Sequence, residues 1–408
     1  MTALSGLRVV ELANERIAFA GKLMADMGAD LILAEPPGGD PSRDYPPFLD
    51  NKPGPDRSLY WWHYHSSKRA IALDLEDPDG AKTFRKLIAT TDVLIEAEPR
   101  DRLSKLQLDY PALSEIKPDL IHIAVTTHGR KDPRSDLPAT DLTIMATSGP
   151  PWSCGYDDHS LPPIRGPLQG YQTAAHFAYM SALTALLYRG VSGEGQFIDV
   201  SMTAASNVST EAATYSWLVA QKTVQRQTGR HASVSPSGET QQLCADGRYA
   251  NTGVPPRFPH EFTALYDWLK SLGLEQELPE AVFLEMGAEW QGPFDLSLIG
   301  QDDAITAIFG AGRAALQLIA SSVSAQDFFL GCQRAGLAAG AVNSPEEAFE
   351  DEHFKARGFH THVHHEDIDR TITYPGAPYR FEKTPWSIRR PAPKLGEHTA
   401  EVLAELDP

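Results

Sequence analysis

The sequence predicts an α/β protein built on a parallel, doubly wound sheet. Three observations predict it: short runs that are aliphatic on both faces, helical patterns between them, and cap residues at the joins. The runs are "LRVVELA" (7–13), "ADLILAE" (29–35), "RAIALDL" (69–75), "DVLIEA" (92–97) and "LIHIAVTTHG" (120–129), as expected for strands covered by helices on each side. Between them, "AFAGKLMADMG" (18–28) reads as a helix stopped by Gly28. "DPDGAKTFRKLIATT" (77–91) opens with a capping Asp77 and with Pro78 at the first helical position.

Further along, residues 171–223 form two long apolar helical patterns separated by "GVSGEGQFIDVSM", a Gly turn and a short strand. "QRQTGRHASVSPSGETQQ" (225–242) is polar and reads as a linker or loop. From 243 to 325 a smaller domain is expected, with a hairpin around Asp246-Gly247 and the helix "EFTALYDWLKSLG" stopped by Gly273. The expected organisation is therefore 1–224 for the large domain's first part, 225–325 for the small domain with its linker, and 326–408 for a return to the large domain.

At 408 residues the chain exceeds one ordinary core. An apolar fraction of 42% with 22% charged residues excludes disorder. The net charge of −18 repels phosphate backbones and anionic lipid, so neither nucleic acid nor a membrane is an expected partner. Cys154, Cys244 and Cys332 match no disulfide or metal spacing, which suits a reducing compartment. The start "MTALSGLRVVELA" enters a strand directly and no run offers ~18 uninterrupted apolar residues, so a cytoplasmic location is expected.

Several motifs imitate chemistry. "FGAGRAA" (309–315) has the glycines of a dinucleotide loop but lies in a helix-rich stretch with no fitting acid downstream, and reads as a Gly-containing helix. "HFKARGFHTHVHHED" (353–367) puts His360, His362 and His364 on one strand face. Without a Cys or matched carboxylates it reads as a polar, solvated strand, and no metal is expected. Ser153 lacks the glycines of a nucleophile elbow, Cys154 has no partnered base in view, and Asp157 and Asp158 diverge in an extended segment.

"PLQGYQT" (167–173) has the look of an active-site turn, with Pro167 and Gly170 breaking the chain before the apolar helix "AAHFAYMSALTALLYRG". It offers Gln169, Tyr171, Gln172 and Thr173, and no carboxylate, thiol or imidazole.

In order and from end to end, "LSGLRVVEL", "LMADMGADLILAEPPGGDPSR", "SLYWWHYHSSKRAIALDLEDPDG", "DVLIEAEP", "LTALLYRGVSGEGQFIDVSM", "AAGAVNSPEEAFEDEHFKARGF" and "RRPAPKLGEHTAEVL" resemble the family III CoA-transferases. The resemblance implies a Rossmann-like large domain built from both chain ends, an inserted small α+β domain, and two subunits interlocked like chain links. It implies coenzyme A thioesters as substrates and no covalently bound cofactor. In the family's transferases one aspartate attacks the donor thioester, giving a mixed anhydride that CoA opens to a protein-bound thioester. Counted back without a gap from "GEGQ" (193–196), that aspartate's place falls on Tyr171, a phenol of pKa ~10 that is neutral at pH 7.

Other positions depart in the same direction. The lysine after the "LDL" strand is Glu76, and a second lysine's place falls near Pro138. The family's Asn-Phe pair is Ala97-Glu98, its first-loop Gly-Pro is Ala18-Phe19, and "GRHASVSPSGE" stands where glycines elsewhere cover the thioester. Lys68, Arg69 and Lys105 remain as the expected contacts of a vestigial CoA site. The resemblance thus implies a chain without its own nucleophile, partnered by a paralogous catalytic chain that carries the aspartate.

"ELANERIAFAGKLMADMGAD" and "PPWSCGYDD" with "LPPIRGPLQGYQT" further resemble the E-type subunits of members that move CoA from succinyl-CoA to benzylsuccinate in anaerobic toluene degradation. The alternative is a stand-alone acyl-CoA enzyme, racemase- or hydrolase-like, that pairs His176 with Asp157, Asp158 or Glu15 as acid and base. Trp61, Trp62 and Trp152 are candidates either for an aromatic pocket or for the core.

Overall fold

A computed structural model describes residues 2–153, 168–210, 212–227, 230–233, 239–253, 255–291 and 294–406. Among the described residues two units emerge: those up to Ser153, 168–220 and those from Glu352 form one, and those within Gln221–Asp351 the other. The first carries β1 (Arg8–Leu12), α1 (Ala18–Asp26), β2 (Asp30–Glu35), α2 (Leu59–Tyr64), β3 (Arg69–Ala72), α3 (Pro78–Ile88) and β4 (Val93–Glu96). It continues through α4 (Arg102–Lys105), α5 (Tyr110–Ile116), β5 (Ile121–Thr126), α6 (Asp141–Ser148), α7 (Gln169–Ser192), β6 (Gln196–Ser201), α8 (Met202–Asn207) and α9 (Ala212–Ala220).

The six strands are all parallel, in the order β3-β2-β1-β4-β5-β6. That is the doubly wound Rossmann order. Alternate residues of each strand point to opposite faces, and both faces are buried. Val9, Leu31, Leu33, Ile95 and Ile123 pack on one face with Met24 of α1 and Ala174, Ala178 and Ala182 of α7. Val10, Leu12, Ile32 and Leu94 pack on the other with Phe84 and Leu87 of α3 and Leu113 of α5. Each fully buried leucine or phenylalanine contributes about 1.5–3 kcal/mol, which is why these strands read as continuous aliphatic runs. Gly28 ends α1 at a φ of 108°, where a side chain would be strained. The C-terminal helix (Thr399–Leu406) adds Val402 to the second core layer, so both chain ends build this unit.

The second unit holds the hairpin β7 (Gln225–Gln227) and β8 (Arg230–Ser233), then β9 (Gln241–Leu243), β10 (Tyr249–Thr252), α10 (Pro259–Ser271), α11 (Ala281–Ala288), α12 (Asp303–Ser322), α13 (Ala325–Arg334), β11 (Ala339–Ala341) and α14 (Pro345–Phe349). β9 and β10 meet across the Asp246-Gly247 turn, with Gly247 at a φ of 77°. The expected break at 325 is corrected. Phe328 and Cys332 of α13 are buried in this unit's core with Phe262, Leu265 and Ile308, and β11 pairs with β10, so the unit runs on to Asp351. The polar stretch 225–242, expected as linker or loop, contains the β7–β8 hairpin. "FGAGRAA" lies inside α12, whose Ile305, Ile308, Ala315 and Ile319 face the core.

The first unit closes with α15 (Glu352–Arg357), the hairpin β12 (His360–His365) and β13 (Arg370–Pro375), and α16 (Thr399–Leu406). On β12, His362 and His364 are exposed beside Thr373 and Thr371, while Val363 and His365 are buried.

Candidate active site around Tyr171

α7 starts where Leu168 turns through a left-handed conformation, and Leu168 supplies no capping hydrogen bond. The cap comes from far upstream: Asp141 Oδ1 accepts the Tyr171 backbone N–H at 3.0 Å. Gly170 permits the approach, because a Cβ there would stand 3.1 Å from Asp141 Oδ1 and 3.2 Å from Ile144 Cγ2. Asp141 also opens α6 behind a Thr140–Thr143 capping box. One buried carboxylate therefore faces the N-termini of two helices, a favourable place for negative charge. Its Oδ2 has no hydrogen-bond partner among the described residues.

The Tyr171 side chain is 5% exposed, and its hydroxyl donates to Glu15 Oε1 at 3.5 Å. Burial and then the Glu15 charge raise its pKa above the ordinary phenol value, against the pull of Arg16. Burial also raises Glu15, opposed by hydrogen bonds from Tyr45 and Tyr171 and by the Arg16 charge. Tyr45 is pushed up to about 12 by burial and by Glu15. Tyr60 stacks at a tilt on Tyr64, with ring centroids 4.6 Å apart, and meets Tyr45 at 5.3 Å. Gln172 Nε2 donates to Tyr64 Oη at 3.0 Å. The first turn of α7 thus meets the Tyr64 hydroxyl and two carboxylates bound to Tyr171, with no carboxylate at position 171 itself.

His176 is exposed, its Nδ1 2.8 Å from the Gln172 carbonyl and its ring edge-on to Phe19 at 5.3 Å. Among the described residues no hydrogen bond joins it to Glu15. Cys154, Asp157 and Asp158 lie outside the described residues.

Two expected phosphate contacts are corrected. Lys68 is fully buried, and its Nζ is spent on Glu11 Oε1 and Oε2 at 2.9 and 2.8 Å, the Ala18 carbonyl at 3.0 Å and His65 Nδ1 at 3.2 Å. Burial pushes Glu11 up and Lys68 down while their mutual bond opposes both shifts. Arg69 is also buried, bidentate on Asp30 at 2.9 and 2.7 Å, and it holds Glu401 and Glu405 of α16 at 2.8 and 2.6 Å. Both cations are answered by carboxylates of this chain, so neither is available to a phosphate. Lys105 stands exposed at the end of α4. Nearby, Arg102 is gripped by Glu98 at 2.5 Å and Glu76 at 3.1 Å, two of the departing positions noted in the sequence.

The three tryptophans do not share a pocket wall. Trp61 is buried between His65, stacked at 3.7 Å, and the Arg43 guanidinium at 3.9 Å. Trp62 is buried against His365, and Trp152 is 63% exposed. Sequence reasoning missed Asp141 and the tyrosines 45, 60 and 64. The Thr140-Asp141 pair is a cap signature that could have marked a helix start, but nothing in local spacing ties it to Tyr171.

A profile of CoA-transferase family III matches residues 4–399. Over 402 residues the chain is 32% identical to the succinyl-CoA:(R)-benzylsuccinate CoA-transferase subunit BbsE of Thauera aromatica, covering 98% of this chain and 93% of that one. It is 31% identical to the succinate–glutarate CoA-transferase of Agrobacterium fabrum, covering 99% and 96%. The crystal structure of a CAIB/BAIF family protein from Brucella suis superposes with a TM-score of 0.78 at 25% identity over all of both chains.

Proposed function

This chain belongs to CoA-transferase family III, and from that premise we propose that it serves as the subunit lacking the nucleophile in a heteromeric succinyl-CoA:arylsuccinate CoA-transferase. In this reading the acyl-carrying aspartate lies on a paralogous partner chain, and benzylsuccinate is the model acceptor.

The observation that carries the reading is Tyr171. A carboxylate can attack a thioester, form an anhydride and be released as a thioester by CoA. A phenol of pKa ~10 is ionised to about one part in a thousand at pH 7, and burial together with Glu15 lowers that fraction further. Two of the three expected phosphate contacts support the same reading, because Lys68 and Arg69 are held by internal carboxylates, while Lys105 stays exposed. The similarity to a protein named as a subunit supports the heteromeric assembly.

An obligate partner also suits the surface of the first unit. Leu187 and Val191 of α7 are 76% and 92% exposed, and Tyr215 and Val219 of α9 are exposed as well. Apolar surface of this kind is characteristic of permanent interfaces, and an interlocked dimer with the catalytic chain would cover it.

The test is expression of this chain alone and with a family paralogue that carries aspartate at the matching position. CoA exchange between succinyl-CoA and benzylsuccinate is then followed by mass spectrometry. We expect exchange only from the pair, with the acyl adduct trapped on the partner. Exchange by this chain alone, with a covalent acyl or thioester adduct on its own residues, would overturn the proposal.

A further inference from the structure

We propose that the cavity between α4–α5 and the β5–β6 edge of the sheet is a binding site for a small, neutral, flat heteroaromatic molecule. Its volume is about 330 Å³, and Arg100, Leu103, Tyr110, His122, Arg130 and Phe197 are among its walls. That size is at the lower end for ligand pockets, which run from about 300 to 1,000 Å³, and suits one or two fused rings.

Three aromatic rings set the shape of the occupant. Phe197 meets His122 edge-on at 5.3 Å, Tyr110 meets His122 at 6.2 Å, and Tyr110 and Phe197 lie at a tilt 5.9 Å apart. A flat ring entering among them gains offset and edge-to-face contacts.

Two polar atoms set its hydrogen-bonding groups. His122 is 1% exposed, and its Nε2 lies 3.3 Å from Glu96 Oε1, an oxygen that also accepts from Arg130. Nε2 therefore carries the hydrogen that faces the carboxylate, and in the neutral ring Nδ1 is left as an acceptor. Nδ1 has no partner. Arg100 Nε, an obligate donor, is buried without a hydrogen bond among the described residues, with Asp101 Oδ1 3.8 Å away. Buried polar atoms are normally satisfied, and a ligand bearing both an N–H and a carbonyl or ring-nitrogen acceptor would satisfy these two.

Charge sets the sign. Arg130 is answered by Glu96 and Arg100 by Asp136 at 3.0 Å, and Asp109 adds a further carboxylate to the lining. Among the described lining residues neither arginine is left over to hold a carboxylate or phosphate, so the ligand is neutral.

The test uses the full chain in whatever assembly it purifies. The probes are 2-quinolinone, 1-methyl-2-quinolinone, naphthalene and quinoline-2-carboxylate, read by calorimetry and by NMR contacts to labelled aromatic rings. We expect 2-quinolinone to bind with contacts to Tyr110 and Phe197, the N-methyl analogue and naphthalene to bind at least tenfold more weakly, and the carboxylate not to bind. His122→Phe should abolish the preference for the N–H compound. Phe197→Ala, on the edge strand β6, should weaken every neutral ring. Equal binding of the first two probes, binding of the carboxylate as tight as the lactam, or no binding of any neutral ring at millimolar concentration would overturn the proposal. If His122→Phe does not fold, the four probes on the wild-type chain decide the matter.

Discussion

The Tyr171 hydroxyl lies 3.5 Å from a Glu15 carboxylate oxygen, in a place where both groups are partly shielded from water. A carboxylate beside a phenol opposes ionisation of the phenol, and burial opposes it further. In spectra of tyrosine-labelled protein, Tyr171 is expected to titrate above the ordinary value. Glu15→Gln should move it down, though still above that value because burial is the larger cause. An unmoved titration in Glu15→Gln would show that the two groups do not interact.

Tyr171→Asp restores the residue type that family chemistry uses, yet it is expected to give no CoA exchange by this chain alone. The new carboxylate would stand close to Asp141, which binds the backbone N–H of the same residue, and this like charge pushes its pKa upward and lowers the fraction ionised as a nucleophile. Exchange assays and trapping with hydroxylamine check this. Robust turnover from the single change would mean that the rest of the pocket is intact.

The Lys68–Glu11 pair predicts a large and pH-dependent effect. Lys68→Met should cost about 3–5 kcal/mol at neutral pH, because it leaves Glu11 buried and unpaired, while Lys68→Met with Glu11→Leu should cost less than the single change. Burial already raises the Glu11 pKa, and loss of Lys68 raises it further. The folded chain then holds a proton that the unfolded chain releases, so the penalty of Lys68→Met should shrink as pH falls toward ~4.3. Urea unfolding between pH 4.5 and 8 measures it. A penalty that does not vary with pH would contradict this account.

The sheet was legible because its order is written locally. Val9 and Val10, or Leu31 and Ile32, face opposite layers and are both fully buried, so each strand announces itself as an aliphatic run. The site was less legible because its contacts are distant in sequence. Asp141 reaches Tyr171 from 30 residues upstream and Glu15 from 156, and no periodicity links such positions. Lys68 and Arg69 show the limit most clearly. In the string "SSKRAIALD" they are two cations before a strand, and only the fold reveals that Glu11, Asp30 and Glu405 had already taken them. The boundary at 325 failed for a related reason: a helical pattern such as that of α13 marks a helix but not the core that receives Phe328.

Arg102 offers a test of the phosphate corner. Glu76 and Glu98 neutralise it from two sides, so Glu76→Lys with Glu98→Asn should free one guanidinium and add a second cation. A charge-assisted hydrogen bond is worth about 1.5–3 kcal/mol, and CoA affinity measured by calorimetry should therefore rise at least tenfold. An unchanged affinity would show that this corner does not meet the phosphates.

Arg69 ties the chain's end to β3, and its acid dependence follows from Glu405. The hydrogen bond from Arg69 is the main cause holding the Glu405 carboxyl below its usual range, with Arg8 contributing. A carboxylate with a depressed folded pKa contributes stability that is fully present above its unfolded pKa of ~4.3 and is lost as pH falls through the lower, folded value. Glu405 is a third exposed, so solvent screens the pair, and Glu405→Gln should cost only about 0.5–1 kcal/mol at pH 7. Melting curves of both proteins should converge below pH 4, where the wild-type carboxyl takes up its proton and the two side chains become equivalent. A gap that persists or widens in acid would place the contribution of Glu405 in its packing rather than in its charge.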